Sequence, residues 1–190
     1  MGLVLASASP RRKELLALVM TDFVVDSPCG SETVDESLPV RSIAMTLAEQ
    51  KAQEVFARHP GDVVLGADTV VTLDGAVLGK PADRREAMQM LGVLSGRTHR
   101  VYTGVCLLAP GEKQVFAAWA DVTFASLTQK EAAEYVLSGE GDDKAGAYAV
   151  QGLGARFIEK VDGDYHAVVG LPVRAVYRIL NQSPFTNYLL

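Results

Sequence analysis

The chain has 190 residues, of which 48% are hydrophobic and 22% charged, enough to bury a sizeable core. Its net charge of −5 excludes the broad basic face that nucleic-acid binding needs, so any anion must be bound locally. No stretch has the length of a membrane span and no secretion signal is recognisable, so we expect a cytoplasmic protein. The two cysteines have no partners at ligand spacing and do not support a zinc site.

The first unusual stretch joins a short apolar strand, predicted over residues 2–6, to a helix that begins at Pro10. Two serines and two arginines stand at this junction: Ser7, Ser9, Arg11 and Arg12. A helix start presents unpaired backbone N–H groups and the positive end of the helix dipole. Together with the hydroxyl and guanidinium groups, this favours a phosphate ligand. A surface helix with a basic first turn is the alternative.

An acidic loop follows the second predicted strand, which covers residues 22–26. The loop spans residues 27–38 and carries three carboxylates, on Glu32, Asp35 and Glu36. For any single acid in such a loop, exposure to solvent is the ordinary explanation.

Lys51 lies on a long helix that we predict from Ser37 and Pro39 to about His59. Positions 43, 47, 51 and 55 are successive steps of four and form the buried stripe of that helix. The ammonium group therefore starts from the buried face. Either its side chain reaches out to solvent past the helix, or it points into a cleft that needs a positive charge.

A compact apolar run over residues 63–67 predicts a strand that is covered on both faces and ends at Asp68 and Thr69. Open α/β folds bind their ligands at the ends of such strands. Asp68 is therefore a candidate site residue, and a role in capping or turning the chain is its alternative.

Asp74-Gly75 is a strong hairpin signal and predicts that residues 69–73 fold back onto residues 76–78. Since a hairpin brings its two ends together, Lys80 should return close to Asp68. Such a pair is either a salt bridge or half of a phosphate and metal site.

The remaining elements follow from capping and turn signals. They are a helix from Asp83 and Glu86 to Ser95-Gly96, strands over residues 101–108 and 114–124, a helix from Thr128 and Glu131 to Gly139, strands over 155–161 and 167–170, a last helix over 172–180, and a tail. His99, beside one strand, either binds phosphate with its neighbouring arginines or has a structural use.

Residues 142–154 form the second unusual stretch, which combines charges, small residues and three glycines. This composition is typical of a loop pressed against a ligand. A turn of small residues within a sheet is the competing interpretation.

Five motifs occur in the order that is typical of the Maf family, and together they cover nearly the whole chain. They are Ser7-Ala8-Ser9-Pro10-Arg11-Arg12, Gly66-Ala67-Asp68-Thr69-Val70, Gly79-Lys80-Pro81, Leu94-Ser95-Gly96-Arg97-Thr98-His99, and Asp143-Lys144-Ala145-Gly146-Ala147-Tyr148 with Gln151-Gly152. The chain closely resembles this family. The resemblance implies one α/β domain over residues 1–190, with a mixed twisted sheet, flanking helices and two lobes around a deep cleft, as in the inosine triphosphate pyrophosphatases.

The same resemblance implies a house-cleaning nucleoside triphosphate pyrophosphatase, a nucleotide diphosphatase that cleaves between the α and β phosphates. It also implies a divalent cation, Mg²⁺ or Mn²⁺, and a homodimer. Gln151 is similar to the branch of the family that acts on dTTP and UTP, whereas an acid there is typical of the 7-methyl-GTP branch. The alternatives are thus a pyrophosphatase for a modified purine triphosphate and a nucleotide-binding regulator of septum formation.

The resemblance also implies roles for single residues. Asp68 matches the proton acceptor of the family and would also bind the metal. Substrate choice is associated with Arg11, Thr69 and Gln151. With Asp68, the catalytic residues would be Arg12, Lys51 and Lys80, whose charges meet the triphosphate. Further substrate-binding residues would be Ser7, Ser9 and Lys144.

The loop ligand of the metal is open, because the family's paired acids are replaced here by Ser31 and Glu32. Counting without gaps from the preceding aromatic residue selects Glu32. The local Val-Asp-Glu pattern selects Asp35 and Glu36 instead. We take Glu32 as the expected ligand.

Overall fold

The computed structural model describes residues 2–31, 33–35 and 37–188, and of Tyr188 only the backbone. Its strands are β1 (Leu3–Ala6), β2 (Val24–Val25), β3 (Val63–Leu73), β4 (Ala76–Leu78), β5 (Thr98–Ala109), β6 (Glu112–Phe124) and β7 (Ile158–Gly163). Its helices are α1 (Pro10–Ala17), α2 (Val40–Phe56), α3 (Arg84–Leu94), α4 (Gln129–Ser138), α5 (Tyr165–Val169) and α6 (Val173–Leu180). Short 3₁₀ turns cover Ala145–Ala147, Gly152–Phe157 and Phe185–Tyr188.

The strands form one mixed sheet in the order β2-β1-β3-β5-β6-β7, and β4 pairs with β3 outside this path. Strand β1 runs parallel to both β2 and β3, with Leu3 opposite Val63 and Ala6 opposite Gly66. The pairs β3 with β4 and β6 with β7 are antiparallel. The predicted α/β class with a mixed sheet and flanking helices is confirmed.

The fold divides into two compact units. The first is drawn from Met1–Asp68, Thr103–Ala118 and Gly170–Leu190, and the second from Thr69–Tyr102 and Trp119–Val169. The three long strands β3, β5 and β6 each contribute residues to both units. No helix in the described part of the chain has the length and apolar character needed to cross a membrane.

The first unit is built around the contact of helix α2 with strands β3 and β5. Small residues allow this contact, since a Cβ atom on Gly66 would lie 2.4 Å from the Ala48 carbonyl oxygen. On Gly104 it would lie 2.1 Å from the Ala44 carbonyl oxygen. The helix backbone therefore lies directly on the sheet. Its buried cluster comprises Val4, Ala6, Ala48, Ala52, Val55, Val64, Cys106 and Leu108.

The second unit contains α3 and α4, which pack against each other. Asp83 caps α3 by accepting a hydrogen bond from Glu86 N. Thr128 and Glu131 form the predicted capping box of α4. A core of edge-to-face aromatic rings fills the unit: His99, Phe124, Tyr135, Tyr148 and Phe157.

Two of the predicted strands are corrected. The strand predicted over residues 63–67 and the strand predicted over residues 69–73 are one continuous β3, so Asp68 lies within a strand and not at the end of one. The predicted strand over residues 167–170 is wrong, because Tyr165–Val169 is helical. Asp164 starts this helix by accepting a hydrogen bond from Ala167 N on its side-chain oxygen, at 3.1 Å.

Two further boundaries differ from the prediction. The expected strand over residues 155–161 begins as a 3₁₀ turn and becomes the strand Ile158–Gly163. The expected tail contains another 3₁₀ turn, and Phe185 within it is buried. Burial of this ring anchors the end of the chain.

Candidate functional site

The turn between β1 and α1 is organised around two serine hydroxyl groups. Ser7 is buried, and its Oγ accepts hydrogen bonds from Ser9 N at 3.2 Å and from Arg12 Nη1 at 3.4 Å. Ser9 is the N-cap of α1 and accepts from Arg12 N at 3.4 Å. The predicted junction of strand and helix is confirmed, with Pro10 as the first helical residue.

Arg12 is held at this turn by two parts of the first unit. Its Nε donates to the Gly170 carbonyl oxygen at 3.0 Å, in addition to the Nη1 contact with Ser7. Arg11, which precedes Arg12 in the same helical turn, is half-buried. The guanidinium group of Arg12 is therefore oriented by the protein itself, as a site for a phosphate requires.

Lys51 and Asp68 form an ion pair in the first unit, through Lys51 Nζ and Asp68 Oδ1. Each side chain is only 13% exposed. Asp68 lies two residues beyond Gly66 and on the same face of β3, where the backbone of α2 crosses the strand. The structure thus excludes an outward-reaching Lys51 and a capping role for Asp68.

The second unit carries the other four predicted residues. Thr69 follows Asp68 in β3 and is half-buried, and Lys80 is exposed after the β3-β4 hairpin. The carbonyl oxygen of Gly79 accepts a hydrogen bond from Gly146 N at 3.0 Å. This bond brings the chain at Lys80 beside the segment that contains Lys144, a pairing that sequence spacing does not reveal.

Lys144 and Gln151 differ in their surroundings. The ammonium group of Lys144 donates to the Glu140 carbonyl oxygen and to Asp143 Oδ1, both at 2.5 Å. Gln151 is exposed and directly precedes Gly152, whose φ is +73°. Lys144 therefore joins its own loop to the end of α4, whereas Gln151 is exposed.

Glu140 and Tyr135 anchor the chain on both sides of Gln151. The Glu140 carboxylate accepts hydrogen bonds from Leu153 N at 2.8 Å and from Gly154 N at 2.9 Å. The Tyr135 hydroxyl oxygen accepts from Ala149 N at 3.0 Å. These contacts shape the loop on which the predicted base-contacting residue stands.

His99 belongs to the core and not to a phosphate site. It is 2% exposed, and its Nε2 lies 2.7 Å from the Tyr148 hydroxyl oxygen. Burial lowers the pKa of His99 from 6.5 to about 4, against a smaller opposing effect of the Asp121 charge. The neighbouring Arg97 and Arg100 pair with Asp74 and Asp121, which leaves no phosphate cluster at this strand among the described residues.

Comparison with known proteins identifies the family to which this chain belongs. The sequence pattern of the family described as Maf-like protein matches residues 2–183. The chain belongs to the Maf family. The sequence resemblance that the five motifs carry is thereby confirmed.

Relatives of this Maf chain carry a consistent name. A protein of Bacillus pumilus, named dTTP/UTP pyrophosphatase, is 45% identical over 186 residues, which is 98% of both chains. A protein of Koribacter versatilis with the same name is 45% identical over 183 residues, 96% of this chain and 95% of that one. Among solved structures, a HAM1 protein from Coxiella burnetii has a TM-score of 0.50 at 16% identity, covering 94% of this chain and 97% of that one. The last likeness concerns the fold alone.

The metal ligands expected for a Maf protein are described only in part. Glu32 and Glu36 lie outside the described residues, and Asp35 accepts hydrogen bonds from Ser37 N and Ser37 Oγ at 2.9 and 2.6 Å. Within the described ranges, no three His, Cys, Asp or Glu side chains form a group that could hold a metal ion. Asp68 does offer the hard carboxylate oxygen that Mg²⁺ and Mn²⁺ prefer.

The sequence of this Maf chain did not predict the contacts that Glu140 and Tyr135 make with the loop around Gln151. Tyr135 is an unremarkable member of the buried stripe of α4, and Glu140 simply follows the glycine that ends the helix. Their partners lie 13 and 14 residues further along the chain. The three glycines of residues 142–154 do indicate a tightly packed loop. They do not indicate which side chains the loop packs against.

Proposed function

We propose that this Maf protein is a nucleoside triphosphate pyrophosphatase that hydrolyses dTTP and UTP. One water is consumed, the bond between the α and β phosphates breaks, and the products are the nucleoside monophosphate and pyrophosphate. The observation that carries the proposal is 45% identity over 98% of both chains to a protein named dTTP/UTP pyrophosphatase. The cytoplasmic location and the homodimer stay predictions.

Gln151 is proposed as the main contact to the base. Its amide can donate to O4 of uracil or thymine and accept from N3–H, a pattern that cytosine does not offer. The exposure of Gln151 and the anchored backbone around it support this role. We assign the rest of the substrate preference to Arg11 and Thr69.

The triphosphate is assigned to cationic and hydroxyl side chains that the sequence predicts as site residues. Arg12 and Lys80 serve as cationic clamps, with Lys51, Lys144 and Ser9 as further contacts. Ser7 acts mainly through Arg12, because its buried hydroxyl accepts a hydrogen bond from that guanidinium group. A guanidinium oriented before the substrate arrives loses less conformational entropy on binding.

Asp68 is proposed to bind and orient the attacking water. Its carboxylate accepts a proton or a hydrogen bond from that water while Lys51 holds the carboxylate in place. Lys51 also supplies positive charge next to the reacting phosphoryl group. A proton that leaves the water therefore has an acceptor within the first unit.

A divalent cation fits the chemistry of Asp68. Mg²⁺ is commonly bound by one or two protein carboxylates together with the phosphates of the substrate. Asp68 and the predicted Glu32 would supply the carboxylates. When bound, the cation supplies charge neutralisation on the phosphoryl oxygens.

A panel of triphosphates tests this function. Release of pyrophosphate should be fastest from dTTP and UTP, should stop in EDTA and should return with Mg²⁺ or Mn²⁺. Asp68→Asn should lower kcat by about 10²–10⁴-fold, because the amide cannot accept the proton of the water. A preference for 7-methyl-GTP would indicate the modified-purine alternative.

The matched control is Asp74→Asn, the same change at a side chain that is 75% exposed on the hairpin turn. It should leave turnover unchanged. Thermal unfolding of both variants is needed, since breaking the Lys51 pair leaves a charge in a nearly buried place. Undiminished activity of a folded Asp68→Asn protein, or no pyrophosphate from dTTP and UTP, would sink the proposal.

A further inference from the structure

Residues 149–154 form a short segment with Gln151 near its middle, which we term the recognition segment. On its C-terminal side, the two oxygens of one carboxylate bind two successive backbone N–H groups. Glu140 Oε1 accepts from Leu153 N at 2.8 Å, and Glu140 Oε2 accepts from Gly154 N at 2.9 Å. Such charge-assisted bonds are stronger than neutral ones and define the local backbone direction.

On its N-terminal side, the recognition segment is bound by a buried hydroxyl. Tyr135 is 0% exposed, and its Oη accepts from Ala149 N at 3.0 Å. The same hydroxyl donates a hydrogen bond to the Glu140 carboxylate. Glu140 and Tyr135 thus form one connected pair that contacts both ends of the segment.

The glycines of the recognition segment allow this close approach. A Cβ atom on Gly152 would lie 2.2 Å from Glu140 Oε1, and the φ of +73° is itself unfavourable for other residues. A Cβ atom on Gly154 would lie 2.3 Å from the Ala149 carbonyl oxygen. The backbone is therefore folded tightly around the carboxylate, directly beside Gln151.

The charge on Glu140 is maintained by these same contacts. Burial raises the pKa of its carboxyl group, but the hydrogen bonds from Leu153 N, Gly154 N and the Tyr135 hydroxyl outweigh it, so the pKa lies below its usual value. Asp143 and Lys144 lie on the adjacent loop, and the Lys144 charge acts in the same direction.

We propose that Glu140, together with the Tyr135 hydroxyl, is a positioning residue that fixes the place from which the Gln151 side chain reaches the base. This inference rests on the proposed function. The amide of Gln151 must meet O4 and N3–H of uracil or thymine together, so a displaced side chain loses both contacts, whereas cytosine, which offers the opposite pattern, loses little. A backbone that is bound on both sides fixes the position and direction of the Gln151 Cα–Cβ bond, and with it the place from which the amide reaches the base.

The test is the specificity of Glu140→Gln toward dTTP and dCTP. A glutamine keeps the size of the side chain but can accept from only one of the two N–H groups and opposes the other with its own NH₂. We expect kcat/KM for dTTP to fall by about tenfold and that for dCTP to stay within about twofold, so the preference for dTTP largely disappears.

Two control variants carry the same chemical change on or beside the same helix. Glu134→Gln alters a half-exposed side chain that pairs only with Lys130 among the described residues. Glu131→Gln weakens the capping box at the opposite end of α4 and should lower stability. Neither should change the ratio of dTTP to dCTP turnover, which separates positioning from stability.

If Glu140→Gln does not fold, Tyr135→Phe tests the positioning role in its place. It removes one hydroxyl, keeps the ring, and should lower the dTTP to dCTP ratio in the same direction. The double variant Glu140→Gln with Gln151→Ala should show no further loss of discrimination than Gln151→Ala alone, because Glu140 acts through Gln151.

The outcomes separate this inference from the proposed function. Equal losses for dTTP and dCTP, or an unchanged ratio in a folded variant, overturn the positioning role while leaving the pyrophosphatase assignment intact. Absence of dTTP and UTP hydrolysis by the unaltered protein overturns both.

Discussion

At the scale of single residues, His99 is the clearest case of a titratable group that serves packing. Its ring makes edge contacts with Phe124 and Tyr148, at centroid distances of 5.1 and 5.3 Å. Nε2 contacts the Tyr148 hydroxyl, while Nδ1 is buried without a hydrogen-bond partner among the described residues. A second proton on this ring would place a charge in the aromatic core, which is why burial lowers its pKa to about 4.

We therefore expect the free energy of unfolding to decrease as the pH falls from 6.5 toward 4. In that interval the unfolded chain binds a proton at His99 and the folded chain does not, so acid favours unfolding. The expected loss is about 2 kcal/mol between about pH 7 and about pH 5. Urea unfolding at both pH values measures it.

The comparison uses two glutamine variants. His99→Gln removes the titrating group and should abolish most of this pH dependence. His166→Gln, at a half-exposed histidine of α5, should retain it. An equal pH dependence in the unaltered protein and in His99→Gln would contradict the assignment.

At the scale of elements, the contact of α2 with the sheet is set by glycines. Gly66 in β3 and Gly104 in β5 face helix backbone atoms, which cannot turn away as a flexible side chain can. This approach brings Lys51 against Asp68. The catalytic pair that we propose thus depends on residues that have no reactive group.

Gly104→Ala should destabilise the protein by about 1–3 kcal/mol, because the new methyl group would overlap the Ala44 carbonyl and force the helix away. Gly92→Ala is the matched control. Nothing lies within 4 Å of its Cβ position, and it is an exposed interior residue of α3. It should stabilise the protein by up to about 1 kcal/mol.

Urea unfolding at neutral pH measures both changes. If Gly104→Ala were as stable as the unaltered protein, α2 would have room to move and the close contact would not be a constraint. A reduced activity of Gly104→Ala at temperatures where it stays folded would further link this contact to the Lys51 and Asp68 pair.

At the scale of the whole molecule, three strands connect the two compact units. Each of β3, β5 and β6 is a continuous piece of backbone with residues in both units. Unfolding one unit would therefore leave the other with interrupted strands and unpaired backbone groups. This connectivity favours one cooperative transition.

We predict coincident urea transitions from two probes. Trp119 is the only tryptophan, lies in the second unit and reports on that unit by fluorescence, whereas far-ultraviolet circular dichroism reports on the whole chain. The two curves should share one midpoint. Separate midpoints would mean that the units unfold independently.

Much of the fold could be predicted from local signals. The Asp74-Gly75 hairpin and the Thr128 and Glu131 capping box appear as expected, since turns and caps are decided by neighbouring residues. The strand expected at residues 167–170 was wrong, because Val168 and Val169 favour strands while the Asp164 cap imposes a helix.

The sequence predicted which residues belong to the candidate site better than it predicted how they contact one another. Motifs indicated Arg12 and Asp68, and helical spacing indicated Lys51, whereas the roles of these residues stay predictions. The ion pair between Lys51 and Asp68 was not predictable from the sequence. The hydrogen bond between Glu140 and the backbone beyond Gln151 was not predictable either.

The sequence by itself determined the family, the α/β class and most of the elements, because ordered motifs and hydrophobic periodicity are properties of the chain read along its length. Only the tertiary structure decided that Asp68 projects from within a strand against Lys51, and that Glu140 binds the chain around Gln151. Both contacts join residues more than ten positions apart, and such pairings depend on how closely backbone elements can approach, which no local pattern encodes.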